Sequence, residues 1–286
     1  MSTEYGLQLF SVRDITGNDL ESALREVAAM GYRYVEYAGF FGHPAETVAA
    51  WQEKYGLACS GTHTGWGELL PENIEATIAY HKAIGNRHII VPGADLDSLE
   101  KIIDFCAVMN KAQLRLAKDG ISLGYHNHSH EFVVMPWGST IHSELEKRGT
   151  FDFEIDTFWA FNAGVDPLAL LDRLAGRVRV IHLKDGLRGG QGKALGEGEA
   201  PVLAVRQKAI TMGLRMVVES EGLDPTGLGE VRRCIDFLRA QEAALSRCTH
   251  LLLGLDADPV RMEPYIPSFF HADPMRANEL KLGLHP

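Results

Sequence analysis

Short runs of β-branched and aromatic residues alternate along the chain with longer segments of helical periodicity. The runs occupy positions 5–12, 32–37, 57–62, 88–92, 121–125, 151–155, 178–183 and 215–218. Between the first two, Asp19 is suited to cap a helix whose Leu20, Leu24, Val27 and Ala28 make one apolar stripe, and Gly31 suits the left-handed residue that ends it. Gly56, Gly85, Gly120, Gly176 and Gly213 repeat that punctuation, each closing a helical segment just before a new apolar run. Eight strand–helix units at intervals of roughly 25–35 residues predict an α/β protein, a single-domain (β/α)8 TIM barrel over 1–247. A doubly wound sheet would more often use about five to seven strands.

Past position 247 the periodicity stops. Five of the 12 prolines fall in 248–286, beside the apolar Tyr265, Ile266, Phe269 and Phe270. Such a stretch is too apolar to be simply disordered. It is expected to form a C-terminal extension that packs across the barrel or onto a second copy of the chain in a homodimer.

In a (β/α)8 barrel the chemistry collects where strands end and βα loops begin. The fifth apolar run leads into Tyr125-His126-Asn127-His128-Ser129-His130-Glu131, and the sixth ends in Glu154-Ile155-Asp156-Thr157. The seventh ends in Ile181-His182-Leu183-Lys184-Asp185 and the eighth in Val218-Glu219-Ser220-Glu221. Charged groups beside a buried strand are costly unless paired, hydrogen-bonded or bound to a metal. One residue from each end can converge on a point, and His126, Asp156, His182 and Glu219 make that set. Two imidazoles with two carboxylates suit one divalent ion: Mn2+, Zn2+, Co2+ or Mg2+. Taken singly, a strand-end histidine such as His128 reads as an ordinary hydrogen-bonded residue, Asp156 as a helix cap and Glu219 as a lysine partner. Four such coincidences at consecutive strands weigh less than one shared site.

Composition narrows the partners. With 28 Lys and Arg against 38 Asp and Glu, the net charge of −10 repels polyanions, and no basic stripe offsets it, so no nucleic-acid partner is expected. No run of eighteen apolar residues and no signal core stands in the chain, so a cytoplasmic protein with no membrane partner is expected. Cys59, Cys106, Cys234 and Cys248 form no Cys-x-x-Cys pair and indicate neither a disulfide framework nor a thiolate metal site.

At Leu7-Gln8-Leu9-Phe10-Ser11-Val12-Arg13-Asp14, Gly31-Tyr32 through Val35-Glu36, Tyr125-His126-Asn127-His128, Asp156-Thr157, His182-Leu183-Lys184-Asp185, Gly196-Glu197-Gly198-Glu199 and Val217-Val218-Glu219, the sequence resembles the sugar phosphate isomerase/epimerase family. That group has the xylose isomerase-like barrel and includes inosose dehydratases, ketose 3-epimerases and, more distantly, apurinic endonucleases. The resemblance implies one metal ligand from each of strands five to eight. Asp156, His182 and Glu219 match the pattern directly. The usual strand-five carboxylate is replaced by His126, unless Glu131 reaches back to the metal. Trp159 stands where the ketose epimerases carry a histidine, and Arg188 where related epimerases have an arginine facing the substrate.

The reaction expected on this basis is proton transfer next to the carbonyl of a small sugar or keto-polyol through a metal-stabilised enediolate, in an isomerase or epimerase. Glu219 is the best base, Glu131 its candidate partner, and Lys184 is available to neutralise developing negative charge. His63, His128, Arg188, Glu197 and Trp159 are the candidate substrate contacts, Glu197 from a glycine-flanked loop that would gate the mouth. The alternative is a dehydratase or lyase, in which one carboxylate removes the α-proton and a β-hydroxyl leaves. Remote alternatives are a non-catalytic sugar-binding barrel and an apurinic endonuclease, which would need three metals and a basic face.

Overall fold

A computed structural model describes residues 3–252. Eight parallel strands close into a barrel: β1 Gly6–Gln8, β2 Tyr34–Tyr37, β3 Ala58–His63, β4 His88–Val91, β5 Ser122–His126, β6 Asp152–Asp156, β7 Val178–Leu183 and β8 Arg215–Val218. Each strand pairs with its neighbour in sequence, and β8 closes on β1 with Gly6 opposite Val217. All eight apolar runs thus supply barrel strands. The proline-rich stretch carrying Tyr265, Ile266, Phe269 and Phe270 lies outside the described residues; the last described helix is Gly227–Leu252.

Local signals act as read. Asp19 accepts from the Ser22 N–H at 2.9 Å and starts the helix Leu20–Ala29. Its stripe is Leu20, Ala23, Leu24 and Val27, with Ala28 only partly buried. At the end of helix Ala45–Tyr55, Gly56 has φ 65° and the Leu57 N–H reaches back to the Gln52 carbonyl at 2.9 Å, a closure that needs the left-handed residue. Gly213 does the same with φ 68° before β8.

The apolar core lies between the strands and the helices, where Leu7, Val35, Ile89, Leu123, Tyr125, Phe153, Ile181 and Val218 pack. The bore is different. Among the strand aliphatics described, only Ile90, Val180 and Val217 are buried outside that cluster. Gln8, Glu36, His88, His126, Glu154, Asp156 and His182 are buried on the same strands. Barrel interiors are usually filled by Val, Ile and Leu; here ionisable groups fill much of the space, and pairing must offset their desolvation.

Two irregularities aim these groups. The β2–β3 register shifts between Val35 and Glu36, which leaves Glu36 opposite Gly61, and the β6–β7 register shifts between Phe153 and Glu154. Bulges of this kind re-aim side chains beside functional sites. No helix among the described residues is long and apolar enough to cross a membrane.

Candidate metal centre at the barrel mouth

His126 ends β5, Asp156 ends β6, His182 is the penultimate residue of β7, and Glu219 follows β8. One ligand atom from each lies within 4.8 Å of the others, and all four residues are buried. His126 Nε2 is 3.1 Å from His182 Nδ1 and 3.6 Å from Asp156 Oδ2, and His182 Nδ1 is 3.2 Å from Glu219 Oε2. Asp156 does two jobs: Oδ1 accepts from the Trp159 N–H at 2.8 Å and caps the helix Thr157–Asn162, while Oδ2 faces the cluster and has no hydrogen-bond partner among the described residues. The Asn127 side chain pins the strand ends, donating to the Asp156 carbonyl at 3.2 Å and accepting the Asp156 N–H at 3.1 Å. A buried carboxylate oxygen with no hydrogen bond, 3.5 Å from the Lys184 ammonium and beside two facing imidazole nitrogens, fits a divalent cation.

Lys184 lies two residues beyond His182 and therefore shares its face. Its Nζ is 2.9 Å from Glu219, 2.8 Å from Glu221 and 3.5 Å from Asp156, and it sits 4.6 Å above the Trp159 ring. Burial works against its charge, but Glu219, Asp156 and Glu221 outweigh burial and hold the ammonium above its ordinary range.

Beneath the four-residue cluster is a second layer, in which two carboxylates that were not sequence candidates meet two histidines that were. Glu36 and Glu154 alternate with His63 and His182. His63 Nε2 is 2.9 Å from Glu154 Oε2 and 3.2 Å from Glu36 Oε1, and His182 Nε2 is 2.8 Å from Glu36 Oε1 and 3.2 Å from Glu154 Oε2. Burial and then Glu36 push Glu154 up to about 7. Burial lowers His63, but the two carboxylates more than reverse it and raise it to about 9. Glu154 was within reach of sequence reasoning, since it stands two residues before Asp156 on the same face. Glu36 was harder to find, because its aim depends on the register shift.

The remaining sequence candidates divide by position. His128 stays at the mouth, its ring 4.9 Å from His126 and 6.3 Å from Trp159. His63 joins the lower layer. Glu131 belongs to a separate group with His128 and His130. It is fully buried, accepts from the Tyr125 hydroxyl at 2.9 Å and the His128 N–H at 2.8 Å, and lies 3.3 Å from His130 Nε2. Burial opposes its charge, yet His128 and His130 lower it to about 2. The Tyr125 ring packs on Phe105 of helix Leu99–Ala117, outside the bore. Arg188 is exposed, stacked 4.0 Å over Phe161 and donating to its carbonyl. Glu197 is exposed and paired with Arg233 at 2.7 Å.

Lys184 and Asp185 are both buried. Asp185 accepts the N–H groups of Gly186, Gly196, Gly198 and Ala200 at 2.8–3.1 Å, which anchors the glycine-rich loop to the end of β7.

With this barrel and strand-end geometry in place, comparison with known proteins decides the family. The model of the xylose isomerase-like TIM barrel matches residues 24–241. The chain belongs to the xylose isomerase-like TIM barrel family. A sugar phosphate isomerase/epimerase from Parabacteroides distasonis superimposes on this family member with a TM-score of 0.72 at 24% identity, covering 82% of this chain and 97% of the other. An L-ribulose 3-epimerase gives 0.63 at 15% identity, covering 90% and 99%. A Bacillus anthracis protein named "probable 3-DHS dehydratase" gives 0.64 at 12%, covering 83% and 99%. At these identities the likeness is one of fold. No curated protein sequence is significantly similar to the chain.

Proposed function

We propose that this barrel is a divalent-metal-dependent isomerase or epimerase that moves a proton on a carbon next to the carbonyl of a small polyhydroxylated substrate. The observation that carries the reading is the convergence of His126, Asp156, His182 and Glu219 from four consecutive strands, with the Asp156 Oδ2 oxygen making no hydrogen bond. These four residues would hold the cation, and a cation bound there supplies Lewis-acid polarisation of a carbonyl oxygen. Glu219 is the carboxylate at the cluster that we assign to proton removal. Lys184, 2.9 Å from it, keeps Glu219 ionised and offers positive charge to a substrate oxygen that becomes negative. Trp159 and His128, at the rim, limit water and offer a ring face and a donor to hydroxyl groups. The isomerase/epimerase and epimerase neighbours support a sugar as substrate.

One observation favours a lyase as the second reading. Glu131, the candidate second carboxylate, is held by Tyr125 and His128 in a group of its own. With Glu131 held apart, Glu219 as the one assigned base suits removal of an α-proton followed by loss of a β-hydroxyl, and the dehydratase neighbour is consistent with that chemistry.

The test is incubation of the cation-loaded protein with keto-sugars and inosose in deuterated water. Carbon-bound deuterium in an isomeric product of otherwise unchanged composition supports isomerisation, whereas loss of water with a new enone absorbance selects the lyase. Asp156→Asn should lower cation affinity at least about 100-fold and turnover with it. A variant with unchanged cation content would remove Asp156 from the site.

A further inference from the structure

We propose that Glu36 is a positioning residue for the cation site, holding the His182 ring so that Nδ1 faces Asp156, Glu219 and His126. The proposal rests on the metal reading above and assigns a role to a residue that lies outside the four-residue cluster.

The two ring nitrogens of His182 face two different layers. Nδ1 is 3.1 Å from His126 Nε2, 3.2 Å from Glu219 Oε2 and 3.8 Å from Asp156 Oδ2. Nε2 is 2.8 Å from Glu36 Oε1. Both nitrogens face carboxylates; with a cation taking the Nδ1 lone pair between Glu219 and Asp156, the one ring hydrogen is on Nε2, where an ionised Glu36, which only accepts, lies 2.8 Å away to receive it. A carboxylate behind a ligating histidine in this way sets its tautomer and ring orientation, and raises its basicity.

Three features of the chain hold Glu36 in that role. The Gln8 amide donates from Nε2 to Glu36 Oε1 at 2.6 Å, while Gln8 Oε1 accepts the Phe10 N–H at 3.1 Å and so fixes which way the amide points. The register shift beside Glu36 brings Gly61 opposite it, where a Cβ would lie 2.9 Å from Glu36 Oε2 and 2.6 Å from Ile90 Cδ1. Only a residue without a side chain leaves that carboxylate its space. His63 Nε2, 3.2 Å from the same Oε1, completes the set of donors around it.

The experiment compares the full-length protein with Glu36→Gln and Glu36→Ala. Zn2+ and Co2+ dissociation constants are measured by competition with a chromophoric chelator, and circular dichroism of the metal-free proteins checks that each is folded. We expect Glu36→Ala to bind about 10- to 100-fold more weakly. Glu36→Gln should fall between, because its amide oxygen still accepts from Nε2–H without the charge. In the Zn2+-loaded parent the His182 Nε2–H should give a downfield, slowly exchanging proton resonance. Its upfield shift or loss in the variants is a response that a merely space-filling Glu36 would not produce.

A folded Glu36→Ala protein with affinity within twofold of the parent overturns the proposal, as does an unmoved resonance. If Glu36→Ala does not fold, the isosteric Glu36→Gln decides by the same two readouts. A parent that takes up no stoichiometric Zn2+ or Co2+ overturns the metal reading and this inference together, whereas a parent that binds and variants that bind equally overturn this inference alone.

Discussion

Single side chains in this protein often satisfy two demands at once, and Asp185 shows how much can rest on one of them. Its two oxygens take four backbone N–H groups from the loop that follows β7. An amide in its place would offer two donors to groups that are themselves donors. Asp185→Asn should therefore cost about 2–3 kcal/mol in urea unfolding, and an unchanged midpoint would show that the loop is anchored by something else. Asp156 is divided in the same manner between a helix cap and the cluster. The sequence left capping and ligation as rival readings of Asp156. The structure gives one oxygen to the cap and turns the other to the cluster, because a carboxylate has two acceptors and a strand end that begins a helix needs only one of them. Glu131 shows the limit of sequence reasoning: its place five residues past His126 suggested reach, but the chain turns it toward Tyr125 and His128.

At the scale of elements, glycines with different duties should respond differently to substitution. Gly213 has φ 68° and open space around its Cα, so Gly213→Ala should cost about 1 kcal/mol through backbone strain and leave cation affinity unchanged. Gly61 lies in β3 against Glu36 and Ile90. Gly61→Ala should cost about 1–3 kcal/mol through overpacking and weaken cation binding as well, since Glu36 must move. Equal effects of the two substitutions on Zn2+ affinity would contradict that division. Strand and helix positions were legible because period-2 runs and left-handed glycines act locally. The register shifts before Glu36 and Glu154 were not, because a bulge is a relation between two strands that lie far apart in the chain.

For the whole molecule, burying neutral imidazoles couples stability to pH. His81 Nδ1 accepts from the Asn86 amide at 2.9 Å, and burial pushes the ring down to about 4. His88 lies 2.6 Å from Ser122 Oγ through Nδ1 while its buried Nε2 has no partner among the described residues; burial likewise takes it to about 4, against the pull of Glu36 and Asp152. Both folded values lie below the unfolded value of about 6.5. The unfolded chain therefore takes up these protons first, and stability present above pH 6.5 is lost as the pH falls toward 4, by on the order of 3 kcal/mol per ring. Urea unfolding from pH 7.5 to 4.5 should show this loss in the parent and a smaller one in a His81→Gln, His88→Gln variant; parallel curves would contradict it. Charge and composition by themselves pointed only away from polyanionic partners. Read together, the repeating strand–helix pattern and the charged strand ends determined the barrel and the four residues that meet at its strand ends. These are properties of local periodicity and of the alternation of side chains along a strand. Only the tertiary structure decided that a second layer of Glu36, Glu154 and His63 underlies the cluster, that Lys184 is buried among carboxylates, and that Arg188 and Glu197 are engaged at the surface. Those outcomes depend on closure of the barrel and on strand register, which set distances between residues that the sequence keeps far apart.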